Sequence, residues 1–206
     1  MYFYSANKLT AKQNYKFLTG SIIPRPIAWI TTMNKQTKLV NAAPFSYFNI
    51  VAKEPPLTSL SINRKDNKMK DTAKNLLLQH EGVIHLVNDA VLKLMNQTAA
   101  SLPSDTSELD GLNITLVDSQ SIEVPAIKEA PIRYEVKLHQ HIEIRDHEQI
   151  TISDLFILEV LNYYFSEELF NVEKEYIDPL TFDPISRLAG NSYSHLDKIL
   201  DIKRPD

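Results

Sequence analysis

The sequence predicts a mainly β protein with peripheral helices, and three observations carry that prediction. Residues 57–63 alternate Leu57, Ser59, Ser61 and Asn63 against Thr58, Leu60 and Ile62, so one face is mostly small and polar and the other mostly apolar. Residues 134–145 alternate again, with Tyr134, Val136, Leu138, Ile142 and Ile144 on one face. Glu135, Lys137, His139, His141, Glu143 and Arg145 take the other, the pattern of an antiparallel strand with one wet side. Few helix-like stretches separate the strand-like ones, so the alternation of a parallel α/β sheet is missing. A closed antiparallel barrel with helices packed outside fits this pattern, and the 206 residues suit one domain spanning 1–206.

The remaining elements follow in order. Residues 27–32, rich in Ile, Ala, Trp and Thr, read as a strand with 38–42 as partner. Asp71 or Thr72 is placed to cap a helix running to about His80, with Gly82 as its stop. Residues 83–87 form a short strand, and Asp89 caps a second helix to about Ala99. Residues 100–112 read as a loop, 113–117 as a strand, 154–165 as a more buried strand, and 166–175 as helical.

Composition narrows the chemistry. No cysteine is present, so disulfides, thiolate catalysis and Cys-ligated metals are excluded, and redox chemistry would need a cofactor. A net charge of −4 argues against electrostatic nucleic-acid binding, so any phosphate site must be local. No apolar run reaches membrane-spanning length, and the first residues lack a signal-peptide pattern, so a cytoplasmic protein is expected. With only four glycines, the Gly-rich loop of a dinucleotide-binding doubly wound sheet is absent. His139 and His141 share a strand face, as in some metal sites, but a solvated face accounts for them.

Residues 24–75 hold the candidate site. Strand-like runs there end in small hydroxyl residues and are followed by a cationic helix start, which suits a flat aromatic ligand with an anionic tail. The small side chains of residues 41–46, including Asn41, Ala42, Ala43 and Ser46, let backbone approach a planar ring. Ser61, Asn63 and Arg64 end the alternating strand, and Lys70, Asp71 and Thr72 start a helix. Together they offer cations, hydroxyls and a helix dipole to one phosphate. Each group also has a plain structural reading. Thr31 and Thr32 suit a strand, Trp29 a core, and the lysines an exposed capped helix. Arg25, between two prolines, is positioned either for a ligand or for a carboxylate at an interface.

Five pieces in order resemble the flavin reductase-like, FMN-binding split-barrel family, of the flavoredoxin and nitrilotriacetate monooxygenase component B type. They are Arg25-Pro26-Ile27-Ala28-Trp29 with Thr31-Thr32, residues 41–46, Pro55-Pro56, Lys70-Asp71-Thr72 with Asn75, and Arg187-Leu188 with Gly190 and Tyr193. The resemblance implies a six-stranded antiparallel split β-barrel and a homodimer with FMN near its interface. It implies that Trp29, Thr31, Thr32, Asn41, Ala42, Ala43 and Ser46 surround the ring and ribityl chain. Ser61, Asn63, Arg64, Lys70 and Thr72 would serve the phosphate end, with Asp71 a further cofactor-binding candidate beside them. Leu158 stands where many relatives have Gly, and Ala189 replaces the first Gly of their usual pair.

The implied activity is NAD(P)H-dependent flavin reduction, with NADH or NADPH as reductant and a monooxygenase or other acceptor as partner. The cofactor carries that chemistry, so no catalytic side chain is assigned. A non-catalytic FMN electron carrier is the alternative, and a pyridoxine phosphate oxidase-like flavoenzyme ranks third.

Overall fold

The structure, a computed structural model, describes residues 1–205. In chain order the strands are β1 (Ala28–Met33), β2 (Val40–Phe45), β3 (Phe48–Lys53), β4 (Pro56–Asn63) and β5 (Glu81–Leu86). Then come β6 (Leu116–Val117), β7 (Ala126–Ile127), β8 (Ile132–Arg145), β9 (Thr151–Phe165), β10 (Phe170–Asn171), β11 (Tyr176–Ile177), β12 (Ser186–Arg187) and β13 (Tyr193–Ser194). The α-helices are α1 (Ala11–Ser21), α2 (Asp71–Gln79), α3 (Asp89–Gln97) and α4 (Pro179–Phe182).

One seven-stranded antiparallel sheet, in the order β2-β1-β5-β8-β9-β4-β3, organises the molecule. The three other ladders, β6-β7, β10-β11 and β12-β13, are small outliers. The six strands implied by the resemblance are thus seven here. The physical reason lies at Ser46 and Tyr47, which separate β2 on one edge from β3 on the other. Consecutive strands on opposite edges force the sheet to curl until its edges meet at that corner. There the Ser61 N–H of β4 donates to the Tyr47 carbonyl at 2.9 Å.

β1 is buried along its whole length because both of its faces are covered. Ala28 and Ile30 join a cluster with Leu60, Ile62, Leu76, Ile84, Phe156 and Leu158. Trp29 faces the opposite way, into a cluster with Ala42, Val91, Met95, Ile127 and Ile185. Leu158 is completely buried in the first cluster, so a large side chain there fills the interior.

Several local expectations are corrected. α2 ends with His80 in the left-handed region at φ 63°, and Gly82 lies inside β5 instead of stopping the helix. A Cβ on Gly82 would stand 3.1 Å from the Thr31 carbonyl oxygen and 3.2 Å from Ile30 Cδ1, so close strand packing selects glycine. The N-cap of α2 is Lys70, not Asp71 or Thr72, and that of α3 is Asn88, not Asp89. The segment 113–117 contributes only β6, and 166–175 contains β10 and turns instead of a helix. α1 was not anticipated, although its capping box is legible: Thr10 and Gln13 each bond the other's backbone N–H.

The alternation in β8 breaks at a register shift between Leu138 and Gln140. Beyond it, Ile142 and Ile144 are 37% and 38% exposed. His141 turns inward to stack on Phe156, with ring centroids 5.0 Å apart. A second shift between Glu135 and Val136 accompanies the burial of Glu135, which also departs from the wet-face reading. Its carboxylate accepts the N–H groups of Gln120 and Ser121, the Asn162 amide and the Tyr164 hydroxyl.

His85 ties β1 to β7 inside the core. Its Nδ1 donates to the Trp29 carbonyl at 2.8 Å and its Nε2 accepts the Ile127 N–H at 2.8 Å, which fixes the neutral tautomer. Burial, aided by Arg133, lowers its pKa to about 3. The unfolded ring takes a proton near pH 6.5 while the folded ring refuses it, so stability is complete above that pH. It declines by about 1.4 kcal/mol per pH unit on acidification from 6.5 towards 3. Urea unfolding at stepped pH is expected to show this slope, and His85→Gln to reduce it. Gly82→Ala is expected to lower stability by about 1–3 kcal/mol in the same assay, because the opposing Thr31 carbonyl cannot retreat.

Candidate functional site

A cleft of about 1020 Å³ opens between α1, the end of β2, the start of α2, α3 and the tail that carries β12 and β13. Its walls are held together by the Asn41 side chain. Asn41 Nδ2 donates to a Glu108 carboxylate oxygen at 2.7 Å, which leaves Oδ1 to accept the Thr72 hydroxyl at 2.8 Å and the Thr32 hydroxyl at 3.3 Å. The Ala42 N–H also donates to Glu108, at 3.3 Å. Asn75 of α2 extends the network by donating to the Thr32 hydroxyl at 3.2 Å. Ser107 anchors the loop that supplies Glu108 by donating to the Val40 carbonyl at 2.6 Å. Burial pushes the Glu108 carboxyl pKa up, against the lowering effect of these donors.

The start of α2 is cationic and open. Lys70 makes no side-chain cap bond, so the first-turn N–H groups have no side-chain acceptor from it. Its ammonium lies 5.5 Å from the centre of the Phe45 ring. Burial, followed by repulsion from Lys65, lowers the Lys70 pKa. Among the described residues neither Lys65 nor Lys70 pairs with a carboxylate. Asp71 engages Lys74 instead, at 2.9 Å.

A model of the flavin reductase like domain matches residues 19–184. The chain belongs to the flavin reductase-like family. It is 43% identical over 205 residues to "Uncharacterized protein YwrF" of Bacillus subtilis (strain 168), covering 100% of both chains. The crystal structure of nitrilotriacetate monooxygenase component B from Bacillus cereus superposes with a TM-score of 0.94, at 40% identity and 98% coverage of each chain. That of 2-nitrobenzoate 2-nitroreductase NbaA from Pseudomonas fluorescens gives 0.88 at 31% identity, covering 99% of this chain and 96% of the other. The curled sheet is accordingly the split barrel of this flavin reductase-like family.

Of the sequence-expected residues, Asn41, Ala43, Ser46, Ser61, Asn63, Lys70, Asp71 and Thr72 line the cleft. Trp29, Thr31, Thr32, Ala42 and Arg64 do not, because their side chains are engaged elsewhere. Trp29 donates its indole N–H to the Thr98 hydroxyl at 2.9 Å, Thr31 bonds the Pro125 carbonyl, and Ala42 packs in the core. Thr32 supports Asn41 from behind. Arg64 grips Asp154 with Nε and Nη2, both at 2.9 Å, and reaches Glu143 at 3.3 Å.

Sequence reasoning left Glu108, Tyr15 and residues 98–102 out of the site, yet the structure places them on the cleft wall. Nothing local marks Glu108, since its partner Asn41 is 67 residues away. Arg25 also reaches the cleft, but its guanidinium is committed to the carbonyls of Thr19, Ile22 and Leu188 and to the Ser46 hydroxyl.

Asp154 is fully buried, and burial alone would raise its pKa, but bonds from Arg64 and His141 hold it below the usual carboxylate range. Arg64→Ala leaves that charge with His141 alone. We expect a loss of about 3 kcal/mol in urea unfolding, which separates a structural arginine from a ligand-binding one.

Proposed function

We propose that this chain is an FMN-binding oxidoreductase, an NAD(P)H-dependent flavin reductase that supplies reduced flavin or electrons to a partner such as a monooxygenase. On this reading residues 1–206 act as one domain, in the cytoplasm, within a homodimer that holds FMN near its interface. The observation that carries the proposal is the cleft where Lys65 and Lys70, without a carboxylate partner among the described residues, lie beside the open start of α2.

These residues fit the cofactor. A terminal phosphate beside Lys70 would offset the burial and repulsion that disfavour its charge. Lys65, Lys70, Ser61, Asn63 and Thr72 would hold that phosphate, with the α2 dipole reinforcing them. Asn41, Ala43, Ser46 and the backbone at residues 98–102 would flank the ring and ribityl chain. Trp29, Thr31, Thr32 and Ala42 would fix the wall behind them. When bound, the flavin supplies hydride acceptance and electron transfer. The chain's own residues bind, orient and shield, so no acid or base is assigned.

Two further observations support the partner readings. Edge strand β3 exposes Ile50 and Val51, 80% and 49% exposed, and an uncovered edge of this kind favours burial against a second copy. The similar Bacillus cereus protein is a monooxygenase component.

The decisive experiment mixes purified protein with FMN, desalts it, records the visible spectrum, and then follows NADH and NADPH oxidation. Retained flavin with turnover is the expected result. Retained flavin without turnover would favour the carrier, and a colourless protein would sink the proposal. Lys70→Met is expected to weaken FMN about tenfold or more by calorimetry, as for loss of a charge-assisted phosphate contact.

A further inference from the structure

We propose that Arg187, stacked on Tyr193, forms a second oxyanion site in the cleft, which takes the phosphate or carboxylate of the substrate that exchanges electrons with the flavin. This inference rests on the flavin reductase reading above.

Arg187 and Tyr193 are directly opposite each other across the β12-β13 ladder, and the guanidinium carbon lies 4.5 Å from the centre of the tyrosine ring. Both line the cleft. The geometry is held from several sides. Gly190, at φ +59°, makes the tight return between the strands, and its carbonyl accepts from Arg187 Nη2. The Tyr193 hydroxyl donates to Asn96 Oδ1 of α3 at 3.0 Å. Arg187 exchanges backbone hydrogen bonds with Arg25, at 2.8 and 3.1 Å, which ties the hairpin to the chain entering β1.

A guanidinium fixed in this way has lost its rotamer freedom before any ligand arrives. It also retains donors. Among the described residues it pairs with no carboxylate, and Gly190 is its only hydrogen-bond acceptor. Arg25 and Arg64 differ, because their donors are consumed by carbonyls and by carboxylates respectively.

The surroundings favour an anion. Arg25, Lys65, Lys70 and Arg187 line the cleft against the carboxylates of Asp71 and Glu108, although the whole chain carries −4. Lys65, in the turn between β4 and α2, and Lys70, the N-cap of α2, stand on one wall, whereas Arg187 stands on the wall made by the tail and α3. A cofactor with one phosphate uses the first wall and leaves the second free. A substrate that approaches the ring would then be oriented by a bidentate contact to Arg187.

The test titrates inorganic pyrophosphate, and separately succinate, calorimetrically into FMN-loaded wild type and Arg187→Gln. The variant is expected to keep FMN through desalting but to bind the favoured anion about tenfold or more weakly. Preference for pyrophosphate identifies a nucleotide donor, and KM for NADH or NADPH should then rise about tenfold with kcat nearly unchanged. Preference for succinate identifies a carboxylate acceptor. Equal affinity in both proteins, binding of neither anion by wild type, or loss of FMN from the variant would each overturn the proposal. Should wild type hold no flavin, the flavin reading fails. The same titration of the flavin-free proteins then still decides whether Arg187 binds oxyanions. Arg187→Lys covers misfolding of the glutamine variant: intermediate affinity is expected, and wild-type affinity would count against the fork.

Discussion

Asn41 has to satisfy both ends of a buried amide, and the cleft depends on how it does so. Its nitrogen is claimed by Glu108, so its oxygen must face Thr72 and Thr32. Through these contacts β2 is joined to β1, to the first turn of α2 and to the loop between α3 and β6. A buried polar network of this kind is rigid when every member is paired. Its rigidity sets the spacing between the small-residue wall and the cationic helix start, and therefore the shape of ligand the cleft accepts.

Charge is distributed according to the same logic. The buried Asp154 requires a cation and takes Arg64, while the crowded carbonyls around the chain reversal before β1 take Arg25. Among the described residues Lys65, Lys70 and Arg187 have no carboxylate partner, and all of them face one cleft in an acidic chain. Cations that are positioned in this way give a local field that attracts anions, although the chain as a whole carries −4.

Much of the sheet was legible because strand periodicity is local. The alternation in residues 57–63 survives intact as β4, and the continuous run at 27–32 is a strand buried on both faces. Failures occurred where tertiary contacts override the local pattern. The register shift in β8 reverses the parity of Ile142, Ile144 and His141, and no composition signal announces it. Gly82 reads as a helix stop in sequence, but the closeness of Thr31 and Ile30 determines its role. Ala189 is harmless in the tail hairpin because only Gly190 takes a positive φ there.

From the sequence alone come the antiparallel β class, the absence of thiol chemistry, and the order of small-residue and cationic segments that resembles one family. Those properties depend on residues within a few positions of one another. Membership of the cleft was decided only by the tertiary structure, because it depends on contacts across the chain. Curling of the sheet puts Asn41 against Glu108, and the tail against Arg25. It turns Trp29 and Arg64 away from the cleft and brings Arg187 into it. Sheet order and closure set these neighbours, and neither is encoded in the spacing of any single segment.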